Sequence, residues 1–160
     1  MKRYLVKITF AMLVLGSINA LAGGIPYGTP INLETAKKVV KAASEEMNKK
    51  NLDMTIVVVD SGGNLVYLER ADQAPIGTVD AAIGKAKASN GIKLPTKEFE
   101  DQILNGNKLN LLGVPGAFPI EGGVPIVEDN KIIGAIGASG GMPSEDGEVA
   151  NAGANILKKR

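Results

Sequence analysis

An α+β sandwich, with helices on the faces of a five-stranded antiparallel sheet, is the fold class this 160-residue sequence predicts. Three observations carry the expectation. Two apolar runs meet across a Ser-Gly-Gly-Asn turn in MTIVVVDSGGNLVYL, Met54 to Leu68. A Gly/Pro-rich stretch leads into a second hairpin in GVPGAFPIEGGVPIVEDNKIIGAIGAS, Gly113 to Ser139. Helical patterns lie before, between and after these hairpins, in the order α-β-β-α-α-β-β-β-α. That order suits antiparallel pairing and not a doubly wound parallel sheet.

The chain opens on a targeting segment. Lys2, Arg3 and Lys7 form a positive region, Ile8 to Leu15 is a short apolar run, and Ala20-Leu21-Ala22 fits a small-residue cleavage site. The apolar run is too short for the ~20 residues a spanning helix needs. Residues 1–22 are therefore expected to be a signal peptide and residues 23–160 a single domain. The mature chain is expected to be periplasmic or secreted, with no stable membrane insertion after cleavage.

Gly23 to Pro30 reads as a flexible lead-in. Asn32 can cap a helix running to about Lys50, with Leu33, Ala36, Val39, Val40, Ala43 and Met47 as its apolar stripe. Met54 to Val59 is apolar on both faces, as in a covered central strand. Gly62 and Gly63 are expected to supply the positive φ of the turn before the partner strand, Leu65 to Arg70. A second helix starts at Gly77 or Thr78, lines Val79, Ala82, Ile83 and Ala86 along one face, and stops at Gly91. Pro95-Thr96 opens a third, ending near Leu104; Lys108 to Leu112 reads as a helical turn or a loop. Phe118 to Glu121 is a short strand in this reading. Val124 to Glu128 and Lys131 to Ser139 pair across Asp129-Asn130, and glycines in the last strand signal close backbone approach. Ser144 is the expected cap of a final helix running to Lys158-Lys159-Arg160.

Composition removes whole classes of chemistry. The mature part carries 15 basic against 17 acidic residues, a net charge of −2, which disfavours nucleic acid as a partner. There is no His, Cys or Trp. Cys/His zinc sites, Ser-His-Asp triads, Cys nucleophiles and His-ligated haem are therefore excluded. Met54, Met142 and Tyr67 are the soft or phenolate donors left for iron.

Four constellations stand out. Ser139-Gly140-Gly141 precedes a helix N-terminus and could hold an anion on exposed amides, or simply turn the chain. Glu121-Gly122-Gly123 and Asp60-Ser61-Gly62-Gly63 each set a carboxylate beside a flexible turn, and no spacing brings the two together. Arg70, near Asp72 and Glu69, could clamp a ligand carboxylate or form a surface pair.

VVVDSGGNLVYLERAD, PIGTVDAAIGKAKAS, LPTKEFEDQI, PIEGGVPI and KIIGAIGASGGMPSEDGEVANAGANIL together resemble the GlcG/HbpS family, which includes the C-terminal domain of PduO-type proteins. The resemblance covers about residues 32–157. It implies a profilin-like α/β/α fold and homo-oligomers from dimers to octamers. It also implies links to haem binding, to iron-dependent haem breakdown and to corrinoid-associated enzymes. From motif position it maps a ligand pocket to Arg70, Phe118, Glu121, Gly122, Gly123 and Asp146. Some members hold haem iron on a His, which this chain lacks, and no resident metal site is expected. The expected function is binding of haem, a related tetrapyrrole or an organic acid. The alternatives are slow haem degradation or small-carboxylate conversion, and a structural subunit of another enzyme.

Overall fold

The computed structural model describes residues 24–157; the expected signal peptide and the basic C-terminal end lie outside the described residues. Asn32 accepts a hydrogen bond from the Thr35 amide at 2.8 Å and opens α1 (Leu33–Lys49). Ala36, Val39, Val40, Ala43 and Met47 are buried as expected. Leu33 is exposed instead, because Ile31, just before the cap, takes the buried place.

The sheet comprises β1 (Thr55–Asp60), β2 (Leu65–Arg70), β3 (Gly123–Glu128) and β4 (Lys131–Ser139), all antiparallel, in the order β2-β1-β4-β3. The central β1 explains its own sequence. Ile56 and Val58 join the core under α1 and the C-terminal helix, while Val57 and Val59 pack on the other face against Ala82 and Ala86. A run with no polar alternation is what two covered faces require. Between β1 and β2 only Gly63 has positive φ, at 81°, so Gly62 is not needed for its backbone freedom. The Asp60 carboxylate there accepts from the Gly62 and Asn64 amides. Asp129 and Asn130, at φ 46° and 57°, make the two-residue turn between β3 and β4.

The sheet has four strands, not five. Phe118 to Glu121 does not pair. Pro119 has no N–H to offer a ladder, the Ile120 amide turns back to the Phe118 carbonyl at 2.9 Å, and the Glu121 amide donates to Glu100 Oε2 at 2.8 Å. The lead-in is also tied down. Gly28 N–H donates to the Ile132 carbonyl and Ile132 N–H to the Pro26 carbonyl, forming a parallel bridge at Tyr27. The Tyr27 hydroxyl donates to the Asn90 carbonyl, and Lys93 lies 4.3 Å from its ring.

α2 (Thr78–Ile92) crosses one face, followed by α3 (Thr96–Leu104) and a 3₁₀ turn (Leu109–Gly113). α2 ends one residue beyond Gly91, with Lys93 left-handed at φ 60°. The last helix, α4 (Pro143–Ala154), is capped at Met142 and not at Ser144. Pro143 suits the first helical position, and Glu145 Oε2 accepts from the Met142 amide at 2.8 Å. A short 3₁₀ turn (Asn155–Leu157) follows. No helix among the described residues is long and apolar enough to cross a membrane.

Candidate functional site

The end of the sheet where β4 finishes and β3 begins gathers most of the predicted residues. α2 presses close to β4 there, because Gly137 has no side chain; a Cβ at that position would stand 2.1 Å from the Ala82 carbonyl oxygen. α2 thereby delivers Lys85 into the interior. Its ammonium contacts Asp146 Oδ2 at 2.5 Å and the Ala138 carbonyl at 3.3 Å. Both side chains are 3% exposed. The second Asp146 oxygen accepts from the Gly141 amide at 2.9 Å.

Gly122 and Gly123 roof this pair. Gly122 has φ 127°, and a Cβ on it would lie 2.9 Å from Lys85 Nζ and 2.8 Å from Asp146 Cβ. A Cβ on Gly123 would lie 2.3 Å from the Lys85 carbonyl oxygen. The glycine pair is thus a close-approach device. Thr96 Oγ1 accepts from the Gly123 amide at 2.9 Å, and Gly122 O accepts from the Ala138 amide at 2.9 Å. Glu121 lays its carboxylate against Gly147 of α4, and the Phe118 ring lies against Gly84, the residue before Lys85. Phe118, Glu121, Gly122, Gly123 and Asp146 therefore converge.

Arg70 stands apart. It pairs with Thr55, which pairs with Ser139, so it shares that sheet end but lies two strands away, roughly 10 Å at ~4.8 Å per strand. Its Nε donates to the Ala71 carbonyl at 3.5 Å, and among the described residues no ion pair joins it to Asp72 or Glu69. Asp60 pairs with Gly134, at the far end of the sheet from Ser139, so it does not meet Glu121. Two of the amides before α4 are already taken, Gly141 donating to Asp146 and Met142 to Glu145.

The sequence reading missed Lys85. A signal existed. Thr78, Ala82, Lys85, Ala86 and Ser89 fall on one helical face, and all are buried. A lysine on that face demands a buried partner.

Burial pushes the Asp146 carboxyl above its ordinary value, while the Lys85 ammonium and the Gly141 and Gly140 amides pull it back. Burial also raises the Glu121 carboxyl; Lys97 opposes this, and Glu100, Asp101 and Glu148 reinforce it. A carboxyl raised in the folded state contributes stability below its unfolded pKa and loses it as pH rises through the folded one. Glu121→Gln is therefore expected to melt higher than the parent chain at neutral pH. The difference should close as pH falls below the ordinary glutamate value of 4.5. Thermal scans across that range check it; a lower melting temperature for the variant at neutral pH would refute it.

Among the described residues no group of three or more carboxylates is arranged to hold a metal ion. Met54 is fully buried, Tyr67 packs on the core from β2, and Met142 is 67% exposed at the α4 N-terminus.

Residues 31–155 match the family model described as "Haem degrading protein HbpS-like". The chain is 37% identical over 112 residues to protein GlcG of Escherichia coli (strain K12), covering 68% of this chain and 81% of GlcG. Its structure resembles that of HbpS at a TM-score of 0.76 and 28% identity, covering 89% of this chain and 100% of the other. It also resembles the ORFY protein of Klebsiella pneumoniae at a TM-score of 0.75 and 26% identity, covering 81% and 92%.

Proposed function

We propose that this chain, which belongs to the HbpS-like family, is a binding protein for haem, a related tetrapyrrole or an organic acid. Its ligand lies at the sheet end bounded by Phe118, Glu121, Gly122, Gly123 and Asp146, with Arg70 at the rim. The observation that carries this reading is the convergence of those five residues around the buried Lys85–Asp146 pair. The family's description as haem degrading makes haem the first ligand to consider. The donor set accommodates it only in part: with no His or Cys in the chain, an iron would have to take a different ligand. Arg70, free of carboxylate partners among the described residues, suits a propionate or another ligand carboxylate. We further propose that the mature chain is periplasmic or secreted and assembles as a homo-oligomer, which light scattering at micromolar concentration tests.

Hydrogen exchange with and without haemin tests the location. Protection should rise in residues 118–123 and 140–147. Arg70→Ala should weaken binding while leaving the melting temperature near that of the parent, because the residue is exposed. Protection elsewhere, or equal affinity in Arg70→Ala, would contradict the assignment.

An enzymatic reading has one observation in its favour. The Glu121 carboxylate lies against Gly147, and burial raises it above its ordinary value, the property a general acid needs. Loss of bound-haem absorbance under reductant and oxygen, abolished by Glu121→Gln, would support it.

A further inference from the structure

We infer that the segment from Leu104 to Ile120 is the surface through which two copies of this chain pair about a two-fold axis; this deepens the homo-oligomer proposed above by naming its contact. The segment joins α3 to the glycine roof, and its composition runs against its exposure. None of its residues is buried, yet it carries Leu104, Leu109, Leu112, Val114 and Ile120 and a single charge, Lys108. The three leucines stand 70%, 60% and 57% exposed. A segment left in water is ordinarily polar or charged. Nor is this one a loose coil. The amides of Lys108, Leu111, Val114 and Ala117 donate to the Gln102, Lys108, Leu111 and Val114 carbonyls at 3.0–3.1 Å, so successive turns fix the backbone that presents the apolar side chains.

Area and charge together select a second copy as the occupant. These five residues leave roughly 450 Å² of surface in water, within the range that marks an interaction site. A stable interface covers about 800 Å² per partner, a little over half of it apolar, so one such patch supplies what each side of a dimer must bring. A two-fold axis sets a surface against itself, so any charge on it faces its own kind. The outer side of α1, with Lys37, Lys38 and Lys41, and that of α3, with Glu98, Glu100 and Asp101, would repel their own copies. The segment from Leu104 to Ile120 has no acid, and its one ammonium turns back to Gln102 Oε1 at 3.1 Å, so it meets its copy without that cost. It runs through Phe118 into Glu121, which places each proposed ligand site beside the interface.

The test is light scattering on residues 23–160 at micromolar concentration, for the parent, the double variant Leu109→Asp with Leu112→Asp, and Ile76→Asp. Both leucines are exposed, so the double variant should keep the parent's far-ultraviolet circular dichroism. It should self-associate at least roughly tenfold more weakly, the loss expected when central apolar contacts are removed. Its particle mass should fall at least twofold. Ile76, 86% exposed in the turn before α2, lies outside the segment, and Ile76→Asp should leave the mass unchanged. The chain has no cysteine, so single cysteines report the contact directly. At least one of Leu109→Cys, Leu112→Cys and Val114→Cys should form a disulfide-linked dimer under mild oxidation, and Ile76→Cys should not. A multimeric parent whose mass the double variant leaves unchanged would overturn the inference while the homo-oligomer stands. A monomeric parent would overturn both. A monomeric parent captured by phosphatidylglycerol vesicles, with the double variant left free, would assign the segment to a lipid surface instead. Haemin titration reads the binding function separately in every case.

Discussion

Lys85→Met is expected to lower the unfolding free energy by about 3–5 kcal/mol, the loss typical of removing one partner from a buried ion pair. The substitution keeps the length of the side chain and removes its charge. What remains is Asp146, 3% exposed, with a carboxylate held only by the Gly141 and Gly140 amides, and an Ala138 carbonyl without its lysine donor. The pH dependence separates this cause from lost packing. An unpaired buried carboxyl has a raised pKa, so it is neutral in acid and its penalty grows as pH rises. The deficit of Lys85→Met should therefore shrink on acidification. Adding Asp146→Asn, which removes the stranded charge but keeps an acceptor for Gly141, should recover most of the loss. Urea denaturation of the two variants at acid and neutral pH checks both statements. A deficit that does not vary with pH and is not relieved by Asp146→Asn would mean that the pair contributes through packing alone.

Gly137→Ala should be as damaging, for a steric reason. The added Cβ would stand 2.1 Å from the Ala82 carbonyl oxygen and 2.7 Å from the Ala86 amide nitrogen. Both are backbone atoms of α2, so no rotamer change relieves the contact and the helix must lift from β4. Overpacking of this kind costs about 3 kcal/mol or more. Because α2 carries Lys85, the same displacement pulls the ammonium from Asp146. Gly91→Ala, in the same helix with nothing within 4 Å of the new Cβ, should instead stabilise by about 0.5 kcal/mol. Melting temperatures that move in opposite directions support this account of α2. Equal, small shifts would contradict the close approach of α2 to the sheet.

Much of this architecture was legible because local and global signals agree. The stripe in α1, the two-faced run of β1 and the Asp129-Asn130 turn each have one physical reading. The errors arose where backbone polar groups found partners that the sequence pattern does not reveal. Phe118 to Glu121 has strand-like side chains, but its amides go to a local turn and to Glu100. The small residues Gly24 to Pro30 look like a free lead-in, but Ile132 has an open edge beyond the reach of β1, and Tyr27 fills it. The cap of α4 fell at Met142 because the Glu145 carboxylate serves the Met142 amide, three residues ahead of it.

The site divides in the same way. Glu121, Gly122, Gly123 and Asp146 could be picked out from motif position, but not the reason they converge, which is a lysine from a different helix. Lys85 sits among alanines in a helix that otherwise reads as ordinary packing. Its role appears only once Gly122, Gly123 and Gly137 are seen to admit it. Arg70 shows the opposite case: motif position placed it in the pocket, and the sheet order puts it two strands from Ser139.

The central claim is that this sheet end takes a haem-like or organic-acid ligand although the chain has no histidine. Haemin titration of residues 23–160, followed by absorbance, tests it most directly. The account predicts a saturable Soret shift at one site per chain or per dimer; a flat titration, with no saturable change up to haemin excess, would contradict haem as the ligand.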